Sequence, residues 1–150
     1  MTNQITILMA DDDPEDRIFA QEGFEESRLL NDLHFVEDGE ELMDYLYRRG
    51  KYAAPGAAPK PGLILLDLNM PRMDGREALC EIKADPELRT IPVVVLTTSQ
   101  AEEDILRSYQ MGVNSYITKP VTFDDLVNAI KVLGIYWFEV VELPQIEPRP

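Results

Sequence analysis

Residues 63–66 form a short apolar run in the middle of the chain, and this run ends on a single carboxylate, Asp67. The run is bounded by Pro61 and Pro71, and its composition is typical of a strand buried on both faces of a parallel sheet. Ligands of open α/β sheets bind beyond the carboxyl ends of the strands, so Asp67 is a candidate for chemistry. From this segment alone, an aspartate that merely begins a turn explains the sequence equally well.

A second group of carboxylates, Asp11, Asp12 and Asp13, follows the apolar segment at residues 5–10. Asp13 is placed to cap a helix that begins at Pro14, because proline loses no hydrogen bond there and acidic groups favour the positive end of a helix. That role does not account for Asp11 and Asp12, which repel each other unless a cation or solvent compensates their charge. A solvated acidic loop is the alternative interpretation of the triplet.

Segments of strand length alternate with segments of helical periodicity along the chain. This alternation predicts an α/β fold with a parallel sheet and right-handed crossovers. The predicted strands comprise residues 5–10, 33–36, 63–67, 91–96 and 114–118, and the predicted helices begin near residues 14, 39, 75, 99 and 122.

Helical spacing also predicts which side chains face the sheet. The expected inward residues are Phe19, Ala20 and Phe24 in the first helix, Leu42 and Leu46 in the second, and Ala78, Leu79 and Ile82 in the third. Residues 51–62 contain three prolines, two glycines and four alanines. We interpret that segment as an inserted loop without an element of its own.

The composition limits the possible partners and ligands. With 150 residues and a formal net charge of −14, the chain fits one acidic domain, and we expect neither a nucleic acid nor a membrane as partner. Cys80 and His34 are each the one residue of their type, so a metal site would have to use oxygen ligands. There is no signal-peptide pattern and no bilayer-length apolar run, so we expect a soluble cytoplasmic protein.

Taken together, the polar motifs at the predicted strand ends resemble the receiver domain of response regulators in two-component systems. The motifs are Asp11-Asp12, Asp67, Thr97 and Lys119-Pro120, in this order within residues 5–133. The resemblance implies a flavodoxin-like, doubly wound sheet of five parallel strands in the order 2-1-3-4-5, with helices on both faces. It also implies that Asp67 accepts a phosphoryl group from a histidine kinase or a phosphotransfer protein.

Phosphoryl transfer to a carboxylate requires neutralisation of negative charge, which a hard divalent cation provides. Mg²⁺ suits a site with few carboxylates because it keeps several of its waters. Asp12 and Asp67 can supply two ligands, the backbone carbonyl of Asn69 a third, and Asp11 can act through water.

Two further residues are expected to contact the phosphoryl group. Lys119 brings an ammonium to the developing charge, and Thr97 offers a hydroxyl to a phosphoryl oxygen. In receivers, the residue that corresponds to Tyr116 turns inward when the residue corresponding to Thr97 moves toward the phosphoryl group. The chain therefore contains the parts of a two-state switch.

Residues 134–150 form an apolar extension and a Pro-rich tail after the predicted receiver at residues 1–133, and we expect no output domain. Tyr136, Trp137 and Phe138 would be an exposed patch on a monomer, so we expect a homodimer with two-fold contact at these residues. The signal should then leave through a downstream phosphotransfer or target protein. The insertion, residues 95–99 and the aromatic extension are most similar to single-domain regulators paired with bacterial phytochrome kinases.

Three other interpretations remain open. The chain could be a receiver-like adaptor that acts without phosphorylation, or the regulator of a kinase with a different input. It could also be an aspartyl-phosphate hydrolase of related topology, although such enzymes need a second aspartate where Asn69 stands.

Overall fold

The computed structural model describes residues 6–26, 32–97, 115–118 and 124 of the chain. Its elements are β1 (Thr6–Ala10), α1 (Pro14–Glu26), β2 (Leu33–Val36), α2 (Gly39–Tyr47), a short 3-10 helix (Gly50–Tyr52), β3 (Pro61–Asp67), α3 (Gly75–Ala84), β4 (Val93–Thr97) and β5 (Ser115–Thr118). The helices predicted near residues 99 and 122 lie almost wholly outside these ranges. Within them, no helix is long and apolar enough to cross a bilayer.

The strands form one parallel sheet in the order β2-β1-β3-β4-β5. The chain steps from β1 outward to β2 and then back past β1 to β3 and β4. Because parallel crossovers are right-handed, this reversal carries α1 to one face of the sheet and α2 and α3 to the other. The predicted flavodoxin-like order, with helices on both faces, is therefore confirmed.

The central strand β3 is buried on both faces. Ile64 and Leu66 belong to the core cluster with α2 and α3, while Leu63 and Leu65 point to the opposite face and are also fully buried. Burial of each such side chain stabilises the fold by about 1.5–3 kcal/mol. The prediction of a two-sided buried strand ending on Asp67 is confirmed, although the strand begins two residues earlier than the apolar run.

The inner face of α1 differs from the predicted one. Ala20 is buried, but Phe19 is 48% exposed, and the side chain of Phe24 lies outside the described residues. Consecutive helical residues are about 100° apart around the axis, so the burial of Ala20 turns Phe19 toward solvent. The prediction of an inward side chain was therefore correct for Ala20 and wrong for Phe19.

The inner faces of α2 and α3 agree with the helical spacing. Leu42 is fully buried and Leu46 packs against the core from a partly buried position. In α3 the three predicted inward residues, Ala78, Leu79 and Ile82, are all fully buried.

The segment between α2 and β3 contains more structure than its composition indicated. It includes the 3-10 helix Gly50–Tyr52, and its last two residues already belong to β3. Tyr52 packs against the core cluster, and the hydroxyl of Tyr45 donates to the carbonyl of Pro59 at 2.8 Å. The prediction of a loop without an element was wrong because tyrosine supplies apolar surface together with a hydrogen-bonding group.

Candidate functional site

Asp67 is the last residue of β3, and it is only 2% exposed. The backbone N–H of Asn69 donates to Asp67 Oδ1 at 3.1 Å. The N–H of Gly75, at the start of α3, donates to the carbonyl of Leu68 at 3.0 Å, and a Cβ on Gly75 would overlap the carbonyl oxygen of Asp67. Glycine is required at position 75 because α3 begins in direct contact with the end of the central strand.

Asp11 follows β1 directly and is fully buried. Its backbone N–H donates to the carbonyl of Val36 at 3.0 Å, which continues the contact between β1 and β2 beyond the strand. Its Oδ1 accepts a hydrogen bond from the N–H of Asp13 at 2.9 Å. Asp13 in turn accepts from the N–H of Glu15 at 2.9 Å, so the predicted cap of α1 is confirmed.

Asp11, Asp12 and Asp67 each contribute a carboxylate oxygen to a group whose atoms lie within 4.8 Å of one another. Two of these residues are buried and Asp12 is exposed, so the group opens to solvent on one side. Carboxylates at this separation repel one another, and the repulsion is strongest where the surroundings have a low dielectric constant. Oxygen ligands of this kind fit hard divalent cations such as Mg²⁺, Mn²⁺ and Ca²⁺.

The remaining predicted site residues are described to different extents. Asn69 is exposed in the loop after β3. The backbone of Thr97 pairs with Thr118, and that of Tyr116 with Val95. The side chains of Thr97 and Tyr116 lie outside the described residues, as do the whole of Lys119, Tyr136, Trp137 and Phe138.

Arg17 contacts the acidic loop and was not predicted from the sequence. Its Nη1 donates to the backbone carbonyl of Asp11 at 2.6 Å, and its Nη2 lies 4.0 Å from a carboxylate oxygen of Glu37. The side chain therefore joins the loop after β1 to the loop after β2. Arg17 lies one turn into α1, where nothing in the sequence distinguishes it from a solvated surface arginine.

Asp38 and Arg72 form a second pair that sequence reasoning missed. Asp38 is buried and caps α2, since its Oδ1 accepts from the N–H of Glu41 at 2.8 Å. Its Oδ2 accepts from Arg72 Nε at 2.9 Å and lies 2.6 Å from Arg72 Nη2. The sequence did contain one signal, because an aspartate three residues before a glutamate is typical of a helix start.

Glu41, in the first turn of α2, connects the start of that helix to the 3-10 helix. It accepts hydrogen bonds from the hydroxyl of Tyr52 at 2.5 Å and from the backbone N–H of Glu37 at 2.8 Å, and Lys51 Nζ lies 3.0 Å away. Burial raises the pKa of Glu41, but the hydrogen bonds from Tyr52, Glu37 and Lys51, with the charge of Lys51, lower it more, so the pKa is lowered overall. Glu41 is therefore held in its ionised form.

The fold and the carboxylate group together define a class of protein. The family model described as "Response regulator receiver domain" matches residues 7–131. The chain belongs to the response regulator receiver family, as its motifs predicted.

Within that family, the chain is similar to regulators of phytochromes. It is 43% identical to the response regulator Rcp1 of Synechocystis sp. over 138 residues, which cover 92% of each chain. The solved structure of the bacteriophytochrome response regulator RtBRR matches with 41% identity and a TM-score of 0.81, covering 98% of this chain and 85% of that one. The structure of the phosphorylated cyanobacterial phytochrome response regulator RcpA matches with 44% identity and a TM-score of 0.71, covering 90% and 93%. A structure of Rcp1 in its Mn²⁺-bound form matches with 43% identity and a TM-score of 0.72, covering 94% and 99%.

Proposed function

We propose that this protein accepts a phosphoryl group on Asp67 from a histidine kinase, in a reaction that depends on Mg²⁺, and passes the signal on by protein contact. The observation that carries the proposal is the buried position of Asp67 at the carboxyl end of the central strand, with Asp11 and Asp12 within 4.8 Å. The existence of a phosphorylated form of RcpA, a relative of similar length, supports it.

The metal would be held by Asp12, Asp67 and the carbonyl of Asn69, with Asp11 acting through water. Bound there, a divalent cation supplies positive charge to the phosphoryl oxygens and relieves the repulsion among the three carboxylates. The oxygen-only ligand set and the Mn²⁺-bound form of Rcp1 support this assignment. We choose Mg²⁺ because it binds through one or two carboxylates while keeping several waters.

In the transfer step, a carboxylate oxygen of Asp67 bonds to phosphorus as the bond from phosphorus to the donor histidine nitrogen breaks. The products are an acyl phosphate on Asp67 and a free imidazole. Thr97 and Lys119 are proposed to stabilise the phosphoryl oxygens. Pairing of Thr97 with Thr118 supports this role, because it brings Thr118, the residue before Lys119 in the chain, next to the end of β4.

The signal is proposed to leave through a change at Thr97 and Tyr116, the switch pair. The chain would thus be a phosphoacceptor that catalyses only its own phosphorylation and slow dephosphorylation, with its receiver in residues 1–133 and an extension at residues 134–150. The similarity to Rcp1, RtBRR and RcpA supports a phytochrome-type kinase as the donor. A downstream phosphotransfer or target protein would receive the signal.

The proposal is tested by incubating the protein with acetyl phosphate or a phytochrome kinase and Mg²⁺, followed by intact-mass analysis. Asp67→Asn should lose the phosphoryl adduct because an amide is a poor nucleophile. Asp74→Asn is the matched control, since it removes one charge from the same loop while asparagine still caps α3. Full labelling of Asp67→Asn would refute the assignment, and multiple turnover on small phosphate esters would favour a hydrolase.

A further inference from the structure

The loop after β3 contacts the start of α2 through the backbone. The N–H of Gly39 donates to the carbonyl of Met73 at 2.8 Å. A Cβ on Gly39 would overlap that same carbonyl oxygen, so only glycine allows the approach. Met73 is therefore held against the first turn of α2.

Arg72, the residue before Met73, adds a side-chain contact between the same two segments. Its backbone has a φ of 65°, in the left-handed region that residues with a Cβ rarely adopt. Its guanidinium places Nε and Nη2 at 2.9 and 2.6 Å from the same oxygen of Asp38. Since the other oxygen of Asp38 accepts from the N–H of Glu41, this buried carboxylate joins the loop directly to the helix.

Asn69 lies in the chain between Asp67 and the two residues that contact the start of α2, Arg72 and Met73. Its N–H is bonded to the side chain of Asp67, while its own side chain is exposed. The segment from Asn69 to Met73 is therefore held at one end by Asp67 and at the other by the start of α2.

We propose that Arg72 is a positioning residue that, through Asp38, holds the loop after β3 so that the Asn69 carbonyl faces the carboxylate group. This inference rests on the proposed metal-dependent function of that group. Electrostatics and positioning predict opposite changes in cation affinity when Arg72 is replaced. Loss of a positive side chain near a cation site should strengthen cation binding by electrostatics, whereas loss of the positioning contact should weaken it.

The test compares wild-type protein with Arg72→Asn, Asp38→Asn and the double variant. Asparagine tolerates the left-handed conformation at position 72 and can still cap α2 at position 38. Mg²⁺ affinity is measured by calorimetry, and the rate of phosphorylation by acetyl phosphate is followed across Mg²⁺ concentrations. Arg48→Asn is the matched control, because Arg48 also has a positive φ of 55° but lies at the far end of α2.

We expect Arg72→Asn to lower Mg²⁺ affinity about tenfold, the lower end of the effect of outer-shell partners of metal ligands. Saturating Mg²⁺ should restore its phosphorylation rate, which would not happen if the fold were merely damaged. Asp38→Asn should lower Mg²⁺ affinity by a similar factor, and the double variant should lower it little further, because the two residues act through one contact. Arg48→Asn should leave Mg²⁺ affinity unchanged. Unchanged or stronger Mg²⁺ binding by Arg72→Asn would overturn the inference alone. A wild-type protein that takes up neither Mg²⁺ nor a phosphoryl group would overturn the proposed function and this inference with it.

Discussion

Replacing Asp12 by asparagine should stabilise the metal-free protein, although most single substitutions destabilise a protein. Asp12 is the exposed member of the carboxylate group, while Asp11 and Asp67 are buried. Asparagine keeps the shape of the side chain and removes its charge. The substitution therefore relieves repulsion without leaving a cavity.

The size of the effect follows from the separation of 4.8 Å or less between the carboxylate oxygens. Coulomb's law at that distance gives about 0.9 kcal/mol per pair in bulk water and about 3.5 kcal/mol at an effective dielectric constant of about 20. Because Asp12 is exposed and screened, we take about 1 kcal/mol for each of its two pairs. Loss of a negative charge near the start of α1 costs about 0.5 kcal/mol. We expect a net gain of about 1.5 kcal/mol, or about 5 °C in Tm.

Added Mg²⁺ should reverse the order of stability. A cation at a hundredfold excess over its Kd stabilises the wild-type protein by about 2.7 kcal/mol, and Asp12→Asn should lose most of that gain. Thermal unfolding is measured with a chelator and then across Mg²⁺ concentrations, with Glu15→Gln as a control that removes a nearby charge outside the group. If Asp12→Asn is less stable than wild type in the chelator, or gains as much from Mg²⁺, the reasoning is wrong.

Three further predictions concern the helix start, the 3-10 helix and the extension. Asp74→Ala removes a capping box in which Asp74 accepts from the N–H of Glu77 at 2.9 Å, and should cost about 1 kcal/mol in urea unfolding; an unchanged midpoint would contradict this. Tyr52→Phe removes a hydrogen bond that lowers the pKa of Glu41, so it should cost about 1 kcal/mol at neutral pH. Because a lowered carboxyl pKa stabilises the fold above the unfolded-state pKa, this cost should shrink as the pH falls through the pKa of Glu41; a cost independent of pH would refute the assignment. Trp137→Ala should weaken the expected homodimer in sedimentation at micromolar concentration, and identical sedimentation of the two proteins would remove Trp137 from the interface.

The parallel α/β fold was predictable because it depends on a pattern that the sequence carries along its whole length, whereas the strand order followed from the resemblance to receiver domains. The apolar run before Asp67 and the alternation of strands with helices required no knowledge of tertiary contacts. The convergence of Asp11 and Asp67 follows from the same topology, since the ends of parallel strands meet at one edge of the sheet.

The contacts that brace this edge were not predictable, because each depends on a partner distant in sequence. Nothing local distinguishes Arg72 from a surface arginine, and its positive φ arises where the loop meets the buried carboxylate of Asp38. For Phe19, by contrast, the sequence predicted burial and the structure shows exposure. Helical spacing placed it on one face with Ala20, but Ala20 is buried while Phe19 is 48% exposed.

The register between β1 and β3 has a consequence for how this family of sites can change. Ala10 and Leu66 are paired across the two strands, and Asp11 and Asp67 are the residues that follow them. The backbones that carry the two buried carboxylates are thus held side by side at the spacing of neighbouring strands, about 4.8 Å. Insertions and new charges in the surrounding loops leave that backbone spacing unchanged. The sheet thus keeps the two buried aspartates side by side, and only those loop positions that do not hold Asn69 in place are free to differ in which proteins they contact.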